Sequence, residues 1–116
     1  MLQIFPSEQL KRETAWIGDA VLALFARRWI LQQPQIAPGE RIVVFTHLTQ
    51  NQFLANFGEP TAVEATIGAV YQQHGEAAAF QWIDENLMPR FEREVVNIRR
   101  KNRGQKPATR RLPRRS

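Results

Sequence analysis

The chain contains no cysteine. Disulfides, thiolate nucleophiles and Cys-rich zinc sites are therefore excluded, and the absence fits a reducing compartment. No apolar run approaches the ~20 residues needed to span a bilayer. The N-terminus lacks the basic-then-apolar layout of a signal peptide, so a cytoplasmic protein with no membrane partner is expected. Acidic residues are missing from positions 99–116, which hold nine Lys and Arg, whereas residues 1–98 hold eleven acidic and seven basic residues, a net charge of −4. Sustained strand-like alternation is absent as well, which removes the sheet-based fold classes.

What remains is helical periodicity in a chain of 116 residues with 43% hydrophobic content, enough for one core. Ser7 is placed to cap a first short turn, and Trp16, Ile17, Ala20, Val21, Leu24, Phe25, Arg28 and Trp29 recur at three-four spacing along one long amphipathic helix that ends before Pro34. A second helix is expected from Gly39 to Phe57, with Ile42, Phe45, Leu48, Thr49, Gln52 and Phe53 as its inner stripe. A third runs from Pro60 through Gln72, with Gly75 as a permissive stop. Residues 76–88 form a fourth, broken at Pro89, and Arg90 to Lys101 a fifth. From Asn102 the Gly, Pro, Lys and Arg content predicts disorder.

Two segments carry candidate chemistry: Thr14-Ala15-Trp16-Ile17-Gly18-Asp19-Ala20-Val21, and Pro60-Thr61-Ala62-Val63-Glu64-Ala65-Thr66-Ile67-Gly68-Ala69-Val70-Tyr71. Each places one carboxylate in an otherwise apolar helix, next to a glycine that permits close approach by a second helix. Helices crossing there would bring Asp19 and Glu64 around a divalent cation, for which one or two carboxylates with waters and phosphate suffice. Thr61 shares a helix face with Glu64, three residues on. Arg12 lies two turns before Asp19 on one stripe. A solvated or purely hydrogen-bonding role for the two acids is the competing reading. His47 and His74 are expected at the surface or at helix ends. Nine cations without an acid make an electrostatic footprint for polyphosphate.

The first segment resembles the ribonuclease III signature of an apolar stretch, Gly-Asp and Ala-Val-Leu. The second resembles the family's Glu-Ala, apolar, Ile-Gly-Ala and Tyr motif, and Leu48-Thr49-Gln50-Asn51-Gln52-Phe53-Leu54-Ala55 is similar to its Leu-Val-Ser-Asn helix. The closest likeness is to the Mini-III type, which lacks a double-stranded-RNA-binding domain. The resemblance implies an all-α, ribonuclease III endonuclease-domain-like helical bundle over residues 1–101, followed by a basic tail over 102–116. The bundle is shortened, because helix and loop that the family usually carries between its two acidic motifs are missing here.

The implied activity is a homodimeric endoribonuclease that cleaves double-stranded or structured RNA, as in rRNA precursor processing. Asp19 and Glu64 would be its catalytic residues and its ligands for Mg²⁺ or Mn²⁺, and Thr61 would orient a water. RNA contact is expected from Arg99, Arg100, Lys101, Arg103, Lys106, Arg110, Arg111, Arg114 and Arg115. The alternative is a catalytically inactive RNA-binding protein on the same fold, associated with rRNA or a ribonucleoprotein.

Overall fold

The computed structural model describes residues 2–109, with side chains through Asn102. Its first helix, α1 (Glu8–Leu31), starts where the Ser7 hydroxyl accepts the Leu10 N–H at 3.1 Å, satisfying one of the unpaired donors of a first turn. After Pro34 a 3₁₀ turn (Pro38–Glu40) leads into α2 (Arg41–Thr49) and the short α3 (Asn51–Leu54). Helix α4 (Pro60–His74) is capped by the Glu59 carboxylate, which accepts the Thr61 and Ala62 N–H groups at 3.1 and 2.9 Å. Pro60 fills the first helical position, where its missing N–H is harmless. Gly75, at φ +94°, then permits a sharp turn into α5 (Glu76–Asn86), a backbone region that side-chain-bearing residues avoid. Helix α6 (Met88–Thr109) closes the described chain, and all regular structure among the described residues is helical.

The core gathers Leu22, Leu48, Phe53, Leu54, Ile67, Ile83, Leu87 and Phe91, all buried. Edge-to-face ring contacts join Phe53 to Phe91 at 5.6 Å and Phe25 to Phe80 at 5.3 Å, so α1, α3, α5 and α6 share one aromatic seam. Trp29 and Trp82 pack against this core half-buried, whereas Trp16 is 79% exposed.

The structure departs from the sequence expectation in three places. The inward face of α1 is Ala15, Gly18, Leu22, Ala26 and Ile30 together with Val21 and Phe25, while Ala20 is exposed with Trp16. Small residues set this phase, because they admit a neighbouring backbone, which a count of large apolar side chains overlooks. The expected second helix is interrupted at Gln50, whose backbone is extended (φ −80°, ψ 153°). Beside the break, the Thr49 hydroxyl donates to the Phe45 carbonyl at 2.9 Å, a side-chain bond of the kind that bends helices. The inner stripe shifts in consequence: Ile42 is 70% exposed and Gln52 is exposed, and Val44 is buried instead.

The third difference is the break between the last two helices, which falls at Leu87 rather than Pro89; Pro89 sits in the first turn of α6, where proline is tolerated. The expected basic tail begins within α6, and its residues 110–116 lie outside the described residues.

Candidate functional site

Two glycines fix the crossing of α1 and α4. A Cβ built on Gly18 would lie 1.7 Å from the Glu64 carbonyl oxygen and 2.8 Å from the Gly68 nitrogen. A Cβ on Gly68 would lie 2.1 Å from the Thr14 carbonyl oxygen. The backbones therefore touch at a point that only glycine allows. Asp19 follows Gly18 in sequence and Glu64 lies one turn before Gly68, so the crossing carries both acids to the same end of the contact.

There the two side chains meet over one open groove of about 570 Å³, lined by Arg12, Ala15, Trp16, Asp19, Thr61 and Glu64. Glu64 is half-buried and Asp19 is exposed. Partial burial is the largest influence raising the Glu64 carboxyl, and the charge of Asp19, a hydrogen bond with Asp19 and the more distant Glu59 raise it further, to about 7. A carboxyl raised in part by the charge of a neighbouring carboxylate is the usual sign of like charges sharing a site. A divalent cation relieves the same repulsion. Thr61, in the first turn of α4, lies on the groove wall, as the three-residue spacing implies. Glu13 faces elsewhere, exposed, and accepts a hydrogen bond from the Gln9 amide at 2.9 Å.

The donor set suits a hard cation. Two carboxylates supply oxygen ligands, and the open groove leaves room for the waters and phosphate that complete the shell of Mg²⁺ or Mn²⁺. Among the described residues no group of three or more His, Cys, Asp and Glu is arranged to hold a metal. An ion in this groove would therefore rely on Asp19 and Glu64 alone for protein carboxylates.

The expected basic surface divides. Arg99 is not a free cation: its guanidinium bonds the buried Glu40 carboxylate at 3.1 Å and the Gln35 carbonyl, with only 18% of its side chain exposed. Glu40 in turn accepts the Ala37 N–H at 2.9 Å, so it closes the 3₁₀ turn and docks α6 together. A buried carboxylate demands such a cation, so the Arg99 charge is engaged in docking α6. Arg100 and Lys101 are exposed, Arg100 donating to Asn97 at 3.2 Å. Side chains of Arg103 and Lys106, and the whole of Arg110, Arg111, Arg114 and Arg115, lie outside the described residues.

A second long-range pair is not anticipated by spacing. His47 Nε2 lies 2.9 Å from Glu94 Oε1, and Arg90 donates to the other oxygen of Glu94 at 2.8 Å. Hydrogen bonds from His47 and Arg90 hold the Glu94 carboxyl below its ordinary range, the His47 bond most strongly. The trio ties α2 to α6 and does not line the groove. His74 ends α4, exposed.

On the outer side of α1, Trp16, Ala20 and Leu24 form an exposed apolar stripe, continued by Tyr71 of α4. No helix among the described residues is long and apolar enough to cross a membrane. Protein-family models, curated proteins and solved structures were each compared with the chain, and none matches.

Proposed function

We propose that this chain is a metal-dependent endoribonuclease of the ribonuclease III type, acting on double-stranded or structured RNA. The observation that carries the reading is the meeting of Asp19 and Glu64 in one open groove, at a helix crossing set by Gly18 and Gly68. A half-buried carboxylate such as Glu64 is costly unless something pairs with it. Here each acid faces the other, which strengthens the case for a cation between them.

In this reading Asp19 and Glu64 hold Mg²⁺, with Mn²⁺ as a substitute, and the bound ion supplies Lewis-acid activation of water and phosphate. The chain's own part is positional. The glycine crossing fixes the two carboxylates, and the Thr61 hydroxyl orients a water on the groove wall. Hydrolysis adds that water across a phosphodiester, leaving a 5′-phosphate and a 3′-hydroxyl. The exposed stripe of Trp16, Ala20, Leu24 and Tyr71 provides the face through which two copies pair, since contiguous apolar surface marks interaction sites. Arg100, Lys101 and the basic residues after them supply backbone affinity by counterion release.

The test is incubation of purified protein with long duplex RNA in Mg²⁺ or in EDTA. Defined fragments in Mg²⁺ alone support the enzyme. RNA binding without cleavage in either condition favours the inactive RNA-binding reading, to which a site with only two carboxylates lends some weight.

A further inference from the structure

Of the two cations that α1 brings near the groove, one is committed to the fold. Lys11 is mostly covered and bonds Glu59, the cap of α4, at 3.0 Å. Arg12 is different. Its side chain is 71% exposed, it lines the groove with both carboxylates, and its ion pair is a loose contact to exposed Glu8 at 3.8 Å. A pair of that kind contributes little and does not fix the guanidinium. Among the described residues no ion pair or hydrogen bond joins Arg12 to Asp19 or Glu64. The groove thus contains two anions and a cation that does not neutralise them.

We propose that Arg12 is the anion-binding half of this groove, taking the non-bridging oxygens of the RNA phosphodiester while Asp19 and Glu64 hold a single divalent ion. The inference rests on the endoribonuclease reading and deepens it. Formal charge supports it: Asp19, Glu64 and Arg12 together carry −1 when ionised, and one dication brings the groove to +1. An empty groove repels a phosphodiester and a loaded one attracts it. A second dication would leave +3 against two carboxylates, so the charge balance also sets one ion as the complement. Arginine suits the role better than lysine, because its planar fork matches two phosphate oxygens at once. Two turns from Asp19 and held only by a loose partner, the Arg12 side chain keeps the freedom to swing onto a ligand. The position, on the stripe that leads directly to Asp19, makes the contacted phosphate the one at the carboxylate pair or its neighbour.

Arg12→Ala, Arg12→Lys and Arg12→Glu in the full chain test this. Two readouts are taken: Mn²⁺ affinity by calorimetry without RNA, and KM, kcat and salt dependence of cleavage of a labelled RNA duplex in Mg²⁺. For Arg12→Ala the expected result is a KM raised by about tenfold to a hundredfold, the loss of one charged hydrogen-bonding group. The slope of log affinity against log salt should also flatten by about one. Mn²⁺ affinity should be unchanged or tighter, since a repelling cation has gone, and tighter again in Arg12→Glu. Arg12→Lys should recover the salt slope and only part of the KM. Arg12→Ala with KM within twofold of wild type, while wild type cleaves, overturns the inference and leaves the enzyme reading intact. Loss of Mn²⁺ binding and of thermal stability in Arg12→Ala also overturns it, because Arg12 would then be structural. Wild type that neither binds Mn²⁺ nor cleaves RNA removes the enzyme reading, and this inference with it.

Discussion

Gly18→Ala adds a single methyl group, yet it should destabilise the protein severely. The new Cβ would stand 1.7 Å from the Glu64 carbonyl oxygen, where a tolerable carbon–oxygen approach is about 3.3 Å. The opposing atom is helical backbone, so rotation of a side chain cannot relieve the clash. Helices α1 and α4 must part by roughly 1.5 Å instead, judged against that contact distance, and the separation loosens packing along the most extensive helix pair in the fold. Overpacking typically costs about 1–3 kcal/mol, and against helical backbone that cannot yield it should cost about 3–5 kcal/mol. Alanine returns only about 1 kcal/mol of helix propensity. A net loss of about 2–4 kcal/mol follows, or a Tm lower by about 8–15 °C for a domain of this size. Urea and thermal unfolding followed by circular dichroism measure it. Gly39→Ala is the control, since nothing lies within 4 Å of its Cβ, and it should be neutral. A Gly18→Ala protein within about 0.5 kcal/mol of wild type, the size of an ordinary surface substitution, would refute the close crossing.

Four further outcomes are expected. Burial and the charge of Asp19 raise the Glu64 carboxyl from 4.5 to about 7, so the folded state binds that proton more tightly than the unfolded state. The resulting stability is fully present below pH about 4.5 and is lost as pH rises through about 7. Glu64→Gln should therefore gain on wild type between pH 5 and pH 8, by on the order of 1 kcal/mol once partial exposure is allowed for; parallel urea curves at the two pH values would contradict this. Arg99→Ala should cost about 2–3 kcal/mol by urea unfolding, since it strands the buried Glu40 carboxylate. Arg100→Ala should leave stability alone and flatten the salt dependence of RNA binding. Trp16→Glu should convert a dimer to a folded monomer in sedimentation at micromolar concentration, because the indole is 79% exposed in one copy; a wild-type monomer would remove the pairing proposal.

The features legible in the sequence are those set by neighbours along the chain. Ser7, Glu59-Pro60 and Gly75 mark helix ends by local hydrogen bonding and backbone freedom, and the structure uses each of them so. Gly18 and Gly68, each beside an acid in an apolar segment, announce a close crossing before its partner is known, and Asp19 and Glu64 do converge. The phase of α1 was harder to read because Ala15, Gly18 and Ala26 contribute little to an apolar stripe yet occupy the contact. The break at Gln50 has no Gly or Pro to signal it. Pairs such as Glu40 with Arg99 and His47 with Glu94 join residues 59 and 47 positions apart, and no local pattern encodes them. For that reason Arg99 reads in sequence as part of a basic run although its charge is committed to α6 docking.

The central claim is that Asp19 and Glu64 form one divalent-cation site. Calorimetric titration of Mn²⁺ into the purified full-length chain, beside Asp19→Asn and Glu64→Gln, tests it most directly. The account predicts one ion per chain in wild type and affinity weakened at least about tenfold in each variant, with helical circular dichroism unchanged in both. No binding by wild type, or undiminished binding by either variant, would contradict it.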